Sequence, residues 1–167
     1  MENAKKPATV IKATEGKGLA VVGDSYRIVM PGKATGGTYA VIEMLVPPGG
    51  GPGPHAHAGF QESFHVLEGG VEIKTEAGTY AAEKGTFVNI PLGGLIHCFK
   101  NKTDKMARLW CVVVPAGLDA FFEEIGEPAP FGTFVPLPPM TPDLMKKLLA
   151  IADKYGQEIF PPDYLDK

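Results

Sequence analysis

The stretch Gly49-Gly-Gly-Pro-Gly-Pro-His55-Ala-His57-Ala-Gly-Phe-Gln-Glu62-Ser-Phe-His-Val-Leu-Glu-Gly69 decides the fold of this chain. Two histidines separated by one residue share a face of a strand, and Glu62 follows after four more residues. A second stretch, Gly85-Thr-Phe-Val-Asn-Ile-Pro91-Leu-Gly93-Gly94-Leu-Ile-His97-Cys-Phe-Lys-Asn101, adds one more histidine. Three imidazoles and one carboxylate form a donor set for a divalent transition metal: iron, manganese, nickel, cobalt, copper or zinc. Calcium and magnesium prefer a shell made mostly of oxygen.

A His-x-His pair alone is a weak signal, and its surroundings add the weight. The first stretch reads Gly-(x)5-His-x-His-(x)4-Glu-(x)6-Gly, and the second reads Gly-(x)5-Pro-x-Gly-(x)3-His-(x)3-Asn. Together these resemble the two sequence motifs of the cupin superfamily, over roughly residues 35–115. The second motif departs by one extra residue before His97; taking Gly94 as the turn glycine restores the usual spacing. The resemblance implies an all-β double-stranded β-helix, a small jelly-roll barrel. It also implies that His55, His57, Glu62 and His97 hold the metal.

The strand pattern agrees with that expectation. Apolar runs at Val10–Ala13, Leu19–Val22, Tyr26–Met30, Thr38–Val46, Phe60–Leu67, Val71–Thr75, Thr79–Ala82, Thr86–Ile90, Leu95–Lys100 and Arg108–Val114 read as short strands between glycine turns. Gly69-Gly70 reads as a hairpin signal. On Phe60–Glu68, period-two geometry sets Glu62, Phe64 and Val66 on one face and His65 on the other. The same parity pairs His97 with Phe99 and turns Cys98 outward. His65 and Cys98 are therefore not expected to be ligands. Phe60, Phe64, Phe99, Met44 and Tyr39 are the candidate lining residues of a pocket at the metal.

The last third, residues 116–167, reads as a helical and proline-rich extension of the same single domain. Leu118–Ile125 has helical spacing and stops at Gly126. Thr141-Pro142-Asp143 reads as helix cap, first-turn proline and first-turn acid. Leu144, Leu148, Ile151 or Ala152, and Tyr155 form an apolar stripe that ends at Gly156. A structural cap, packed on the barrel or on a partner subunit, is the expected role of both helices.

Composition excludes several classes. The chain has 167 residues, and its 21 glycines and 16 prolines are spread as turn punctuation. A domain of that size buries about 70% of its unfolded surface. A net charge of −3 with mixed signs offers no nucleic-acid footprint and no anionic-membrane patch. Cys98 and Cys111 sit in apolar runs and read as free buried thiols. No signal-like or spanning apolar segment is visible, so the expected location is cytoplasmic.

Beyond the motifs, the chain resembles bacterial single-domain cupins of the quercetin 2,3-dioxygenase type. That resemblance rests on the lead-in to His55, on Glu62–Gly69, on Leu118–Gly126 and on the late helix followed by Pro161-Pro162. It implies a homodimer with a flavonol or related enolisable phenol and dioxygen as substrates. Ring opening releases carbon monoxide, and Glu62 doubles as metal ligand and catalytic base. Other cupin activities, an isomerase or decarboxylase of a small sugar or keto acid, stay open alongside it. So does a non-catalytic small-molecule or metal-binding cupin.

Overall fold

A computed structural model describes residues 7–166. Two antiparallel sheets face each other and enclose the core. The first sheet is built from β1 (Lys17–Val21), β2 (Asp24–Met30), β3 (Ala40–Val46), β5 (Gln61–Glu68), β8 (Phe87–Ile90), β10 (Ala107–Val114) and the two-residue β11 (Glu127–Pro128). The second is built from β4 (His55–His57), β6 (Gly70–Thr75), β7 (Gly78–Glu83), β9 (His97–Lys100) and β12 (Gln157–Ile159). The strand orders are β11-β1-β2-β3-β10-β5-β8 and β12-β4-β9-β6-β7. This is the expected all-β jelly roll.

Alternation explains which residues fill it. On β10, Ala107, Leu109, Cys111 and Val113 are fully buried, while the residues between them lie partly open. On β5, Glu62, Phe64 and Val66 point inward and His65 is exposed. Cross-strand registers of Glu62 with Val113 and of Phe64 with Cys111 fix that inward set against β10. A one-residue slip would turn it out to solvent.

Two expectations are corrected. Val10–Ala13 forms no strand; the segment is exposed and serves as an acceptor surface, with the carbonyls of Lys12 and Ala13 taking bonds from the Arg27 guanidinium. Gly69-Gly70 closes no hairpin. β5 and β6 belong to different sheets, so the pair turns a corner of the barrel. Gly69 has φ +67, and a Cβ there would lie 2.5 Å from the Met106 carbonyl oxygen.

Past the barrel, α1 (Leu118–Ile125) and α2 (Pro142–Lys154) form as their patterns predict. Thr141 caps α2 by accepting from the Leu144 amide at 3.2 Å. The chain then returns to the barrel: β12 pairs with β4, aligning Gln157 with His57 and Ile159 with His55. The C-terminal segment therefore braces the histidine strand directly.

Candidate metal centre

His55 and His57 sit at the two ends of β4, two residues apart and thus on one side of the strand. Glu62 is the second residue of β5, and His97 opens β9, in register with His55. Gly93 and Gly94 both hold positive φ, +112 and +81. The extra residue of the second motif is taken up in that turn, and His97 keeps its inward direction.

One ligand atom from each of His55, His57, Glu62 and His97 lies within 4.8 Å of the others. Glu62 Oε2 is 3.1 Å from His57 Nε2 and 3.6 Å from His97 Nε2. His57, His97 and Glu62 are buried, and His55 is half-buried.

Backbone carbonyls set the tautomers. Nδ1 of His55 faces Gly53 O at 2.9 Å, Nδ1 of His57 faces Phe60 O at 3.0 Å, and Nδ1 of His97 faces Leu95 O at 2.8 Å. A carbonyl only accepts, so each Nδ1 carries the proton and donates. The neutral rings then turn Nε2 lone pairs toward the cluster. His97 Nε2 is buried with no hydrogen-bond partner. Lone pairs facing a carboxylate oxygen repel unless a proton or a cation lies between them. Three such nitrogens and one carboxylate suit a borderline divalent transition metal, and the carbonyl bonds orient the rings as in known histidine–metal sites. The four side chains fit such an ion.

The electrostatics agree. Burial disfavours an ionised Glu62, but the hydrogen bond with His57 and the nearness of the His57 and His97 rings outweigh it and hold the carboxyl far below its usual range. Burial likewise disfavours charge on His57, yet Glu62 reverses the balance and raises its pKa. His55 is pushed down to about 4, by burial first and then by the neighbouring His97. It is neutral at pH 7, the form that ligates.

Glu62 has a second partner that the sequence reading missed. The Cys111 thiol donates to Glu62 Oε1 at 3.3 Å. Burial pushes that thiol's pKa well up, so it stays protonated and serves as donor. The signal for it was present in the alternation of Leu109, Cys111 and Val113, which turns the sulfur inward. Cys98 faces the other way, and both thiols are free.

A cavity of about 370 Å³ opens on His55 and Glu62, whereas His57 and His97 lie behind its wall. Met44, Phe64 and Phe99 line it. Two other candidates lie elsewhere. Phe60 does not reach the cavity, because its ring stacks on His57 with centroids 4.1 Å apart. Tyr39 precedes β3, in a loop tied by Thr35, and is 38% exposed away from the cavity. The remaining wall comes from the C-terminal helices. Phe121 and Phe122 of α1 and Met145 and Leu148 of α2 close one side, so the helices shape the site as well as cap the barrel. No sequence period announces that, since an apolar helix stripe looks the same over a core or a cavity. Asp24, Tyr26 and Gln157 also line the cavity and were not singled out from sequence.

With this geometry in view, comparison with known proteins is consistent. Residues 42–114 match the family described as "Cupin domain". Residues 42–114 thus carry a cupin domain, and the chain resembles the quercetinase-like cupins. Quercetin 2,3-dioxygenase of Bacillus subtilis (strain 168) is 27% identical over 119 residues, 71% of this chain and 35% of that protein. The chain thus spans about a third of the length of this curated relative. Among solved structures, a cupin-superfamily sugar phosphate isomerase from Silicibacter pomeroyi aligns with TM-score 0.51 and 26% identity, over 57% of this chain and 61% of that one. Ectoine synthase from P. lautus aligns with TM-score 0.57 and 18% identity, over 80% of this chain and 99% of that one.

Proposed function

We propose that this protein is a metal-dependent dioxygenase that opens a flavonol or a related enolisable phenol with dioxygen. One observation carries the reading: an apolar cavity roomy enough for an aromatic ligand opens onto the two ligand residues His55 and Glu62. The similarity to a quercetin 2,3-dioxygenase supports the same substrate class.

In this reading His55, His57, Glu62 and His97 hold a divalent transition metal. When bound, the metal polarises a chelating oxygen of the substrate. Glu62 accepts the proton of the incoming hydroxyl. The Cys111 thiol holds Oε1 while Oε2 faces the imidazoles, so the carboxylate keeps one orientation. Phe64, Phe99, Phe121 and Phe122 exclude water and stack against the rings of the substrate.

A sugar phosphate fits less well. Among the described residues that line the cavity, none is lysine or arginine, and a phosphate calls for such partners. A homodimer in the cytoplasm is part of the same proposal. No helix among the described residues is long and apolar enough to cross a membrane. Sedimentation equilibrium tests the dimer, and a monomer removes it.

The decisive experiment measures oxygen uptake together with loss of flavonol absorbance, with quercetin as substrate. Metal-free protein is reloaded separately with iron(II), manganese(II), cobalt(II), nickel(II), copper(II) and zinc(II). Turnover with a loaded metal, and none without, is expected. No uptake by protein shown to be loaded discards the reading. Glu62→Gln should lower kcat by about 10²–10⁴-fold, and full activity in that variant removes Glu62 as the base.

A further inference from the structure

The apolar cavity has three polar lining residues besides His55 and Glu62: Asp24, Tyr26 and Gln157. Asp24 is 2% exposed and Gln157 6%. Asp24 Oδ2 accepts from the Tyr26 hydroxyl at 3.1 Å and the Gly51 amide lies near the carboxylate, but Asp24 Oδ1 has no well-directed hydrogen-bond partner. Gln157 Nε2 has none either. Buried polar atoms in a native protein are nearly always paired, and an unpaired one is destabilising. Two orphans in the wall of one cavity call for a common partner.

Their placement says what that partner is. Gln157 opens β12 and sits in register with His57, so it flanks the histidine strand. Asp24 lies at the start of β2, against the loop that leads into His55. A Cβ at Gly50 would lie 2.5 Å from Asp24 Oδ1, so the glycine there leaves the carboxylate its position. A ligand that reaches the metal centre through this cavity passes both side chains.

We propose that Asp24 and Gln157 are specificity-determining residues that read polar groups at the periphery of the ligand. Asp24, buttressed by Tyr26, accepts from a hydroxyl of the ligand. Gln157 Nε2 donates to a ring oxygen or carbonyl. This rests on the reading above and narrows it: the substrate is an uncharged polyhydroxylated aromatic, with hydroxyl and acceptor groups beyond the oxygens that chelate the metal. The absence of lysine and arginine from the described lining fits an uncharged molecule. Burial pushes the Asp24 carboxyl up to about 7, against the Tyr26 hydroxyl, so the group is poised both to accept and to donate at neutral pH.

The test uses metal-loaded protein, wild type and the variants Asp24→Leu, Asp24→Asn and Gln157→Leu. Dissociation constants are measured for quercetin and for 3-hydroxyflavone, which chelates alike but lacks the other hydroxyls. Thermal midpoints are measured without ligand. Wild type should prefer quercetin by about tenfold or more, and Asp24→Leu and Gln157→Leu should each erase most of that preference. Ligand-free Asp24→Asn and Gln157→Leu should be as stable as wild type or more so, because neither orphan atom loses a partner; Asp24→Leu also takes the acceptor from the Tyr26 hydroxyl and should melt lower. Unchanged preference in the variants overturns the inference, even where wild type oxygenates flavonols. If wild type binds neither flavone, the flavonol reading fails, and the thermal midpoints decide alone. Midpoints held or raised in Asp24→Asn and Gln157→Leu sustain a ligand-facing role, and midpoints lowered by both make the two side chains structural.

Discussion

At the scale of single residues, the candidate metal centre is a problem in proton placement. Each imidazole commits Nδ1–H to a carbonyl, which leaves three inward lone pairs and a carboxylate to share positive charge. His97→Ala should strip the metal, whereas His65→Ala, on the exposed face of the same β5 that carries Glu62, should keep it. Metal analysis of the purified proteins checks this, and equal contents would end the four-ligand assignment. Asp24 offers an independent pH prediction. Burial raises its pKa from 3.8 to about 7, although the Tyr26 bond and the Gly51 amide favour the charged form; the amide makes no well-directed bond to Oδ1. Between those values the folded chain keeps a proton that the unfolded chain has released. Stability therefore falls as pH rises from about 4 to about 7, by on the order of a few kcal/mol, and is level above. Asp24→Asn should remove that slope and be the more stable form at pH 8. Denaturant titrations of both proteins at pH 5 and pH 8 measure the difference.

At the scale of elements, a three-residue strand depends on what surrounds it. β4 meets β9 at the His55–His97 pair, and β12 braces its other edge. The preceding loop is locked by Asn101, whose backbone exchanges bonds with Gly49 and Gly50 and whose side chain donates to Val46 and Lys105 carbonyls. Gly51 holds φ +112, and a Cβ there would lie 2.2 Å from the Phe99 carbonyl oxygen. Gly51→Ala should cost at least about 2 kcal/mol and weaken metal binding, as thermal melts and metal titration would show. A variant as stable as wild type would mean that the loop relaxes freely. The motif glycines and Asn101 were legible in sequence as a pattern. Their work, closing the loop that aims His55, became visible only in the hydrogen bonds.

At the scale of the whole molecule, the two sheets and the C-terminal helices meet around one cavity. An ion that binds only the folded chain stabilises it by mass action, by about 4 kcal/mol at a thousandfold excess over its dissociation constant. For a chain of this size that is a rise in Tm of about 10 °C. Chelation should reverse it in wild type and leave His97→Ala unmoved; calorimetry reads both. A chelator-insensitive wild type would argue that the cluster binds no metal tightly.

What the sequence determined by itself is what period and spacing encode. The alternation of Glu62, Phe64 and Val66, the pairing of His97 with Phe99 and the Thr141 cap of α2 all follow from local geometry along one strand or helix. What only the tertiary structure decided involves neighbours distant in sequence. Cys111 meets Glu62 across the β5–β10 ladder, and Gln157 meets the histidine strand after a hundred residues of chain. Phe60 turns onto His57 and away from the cavity, and α1 and α2 wall the site. Those contacts are set by how two sheets and two helices close on each other, and no one-dimensional period carries that information.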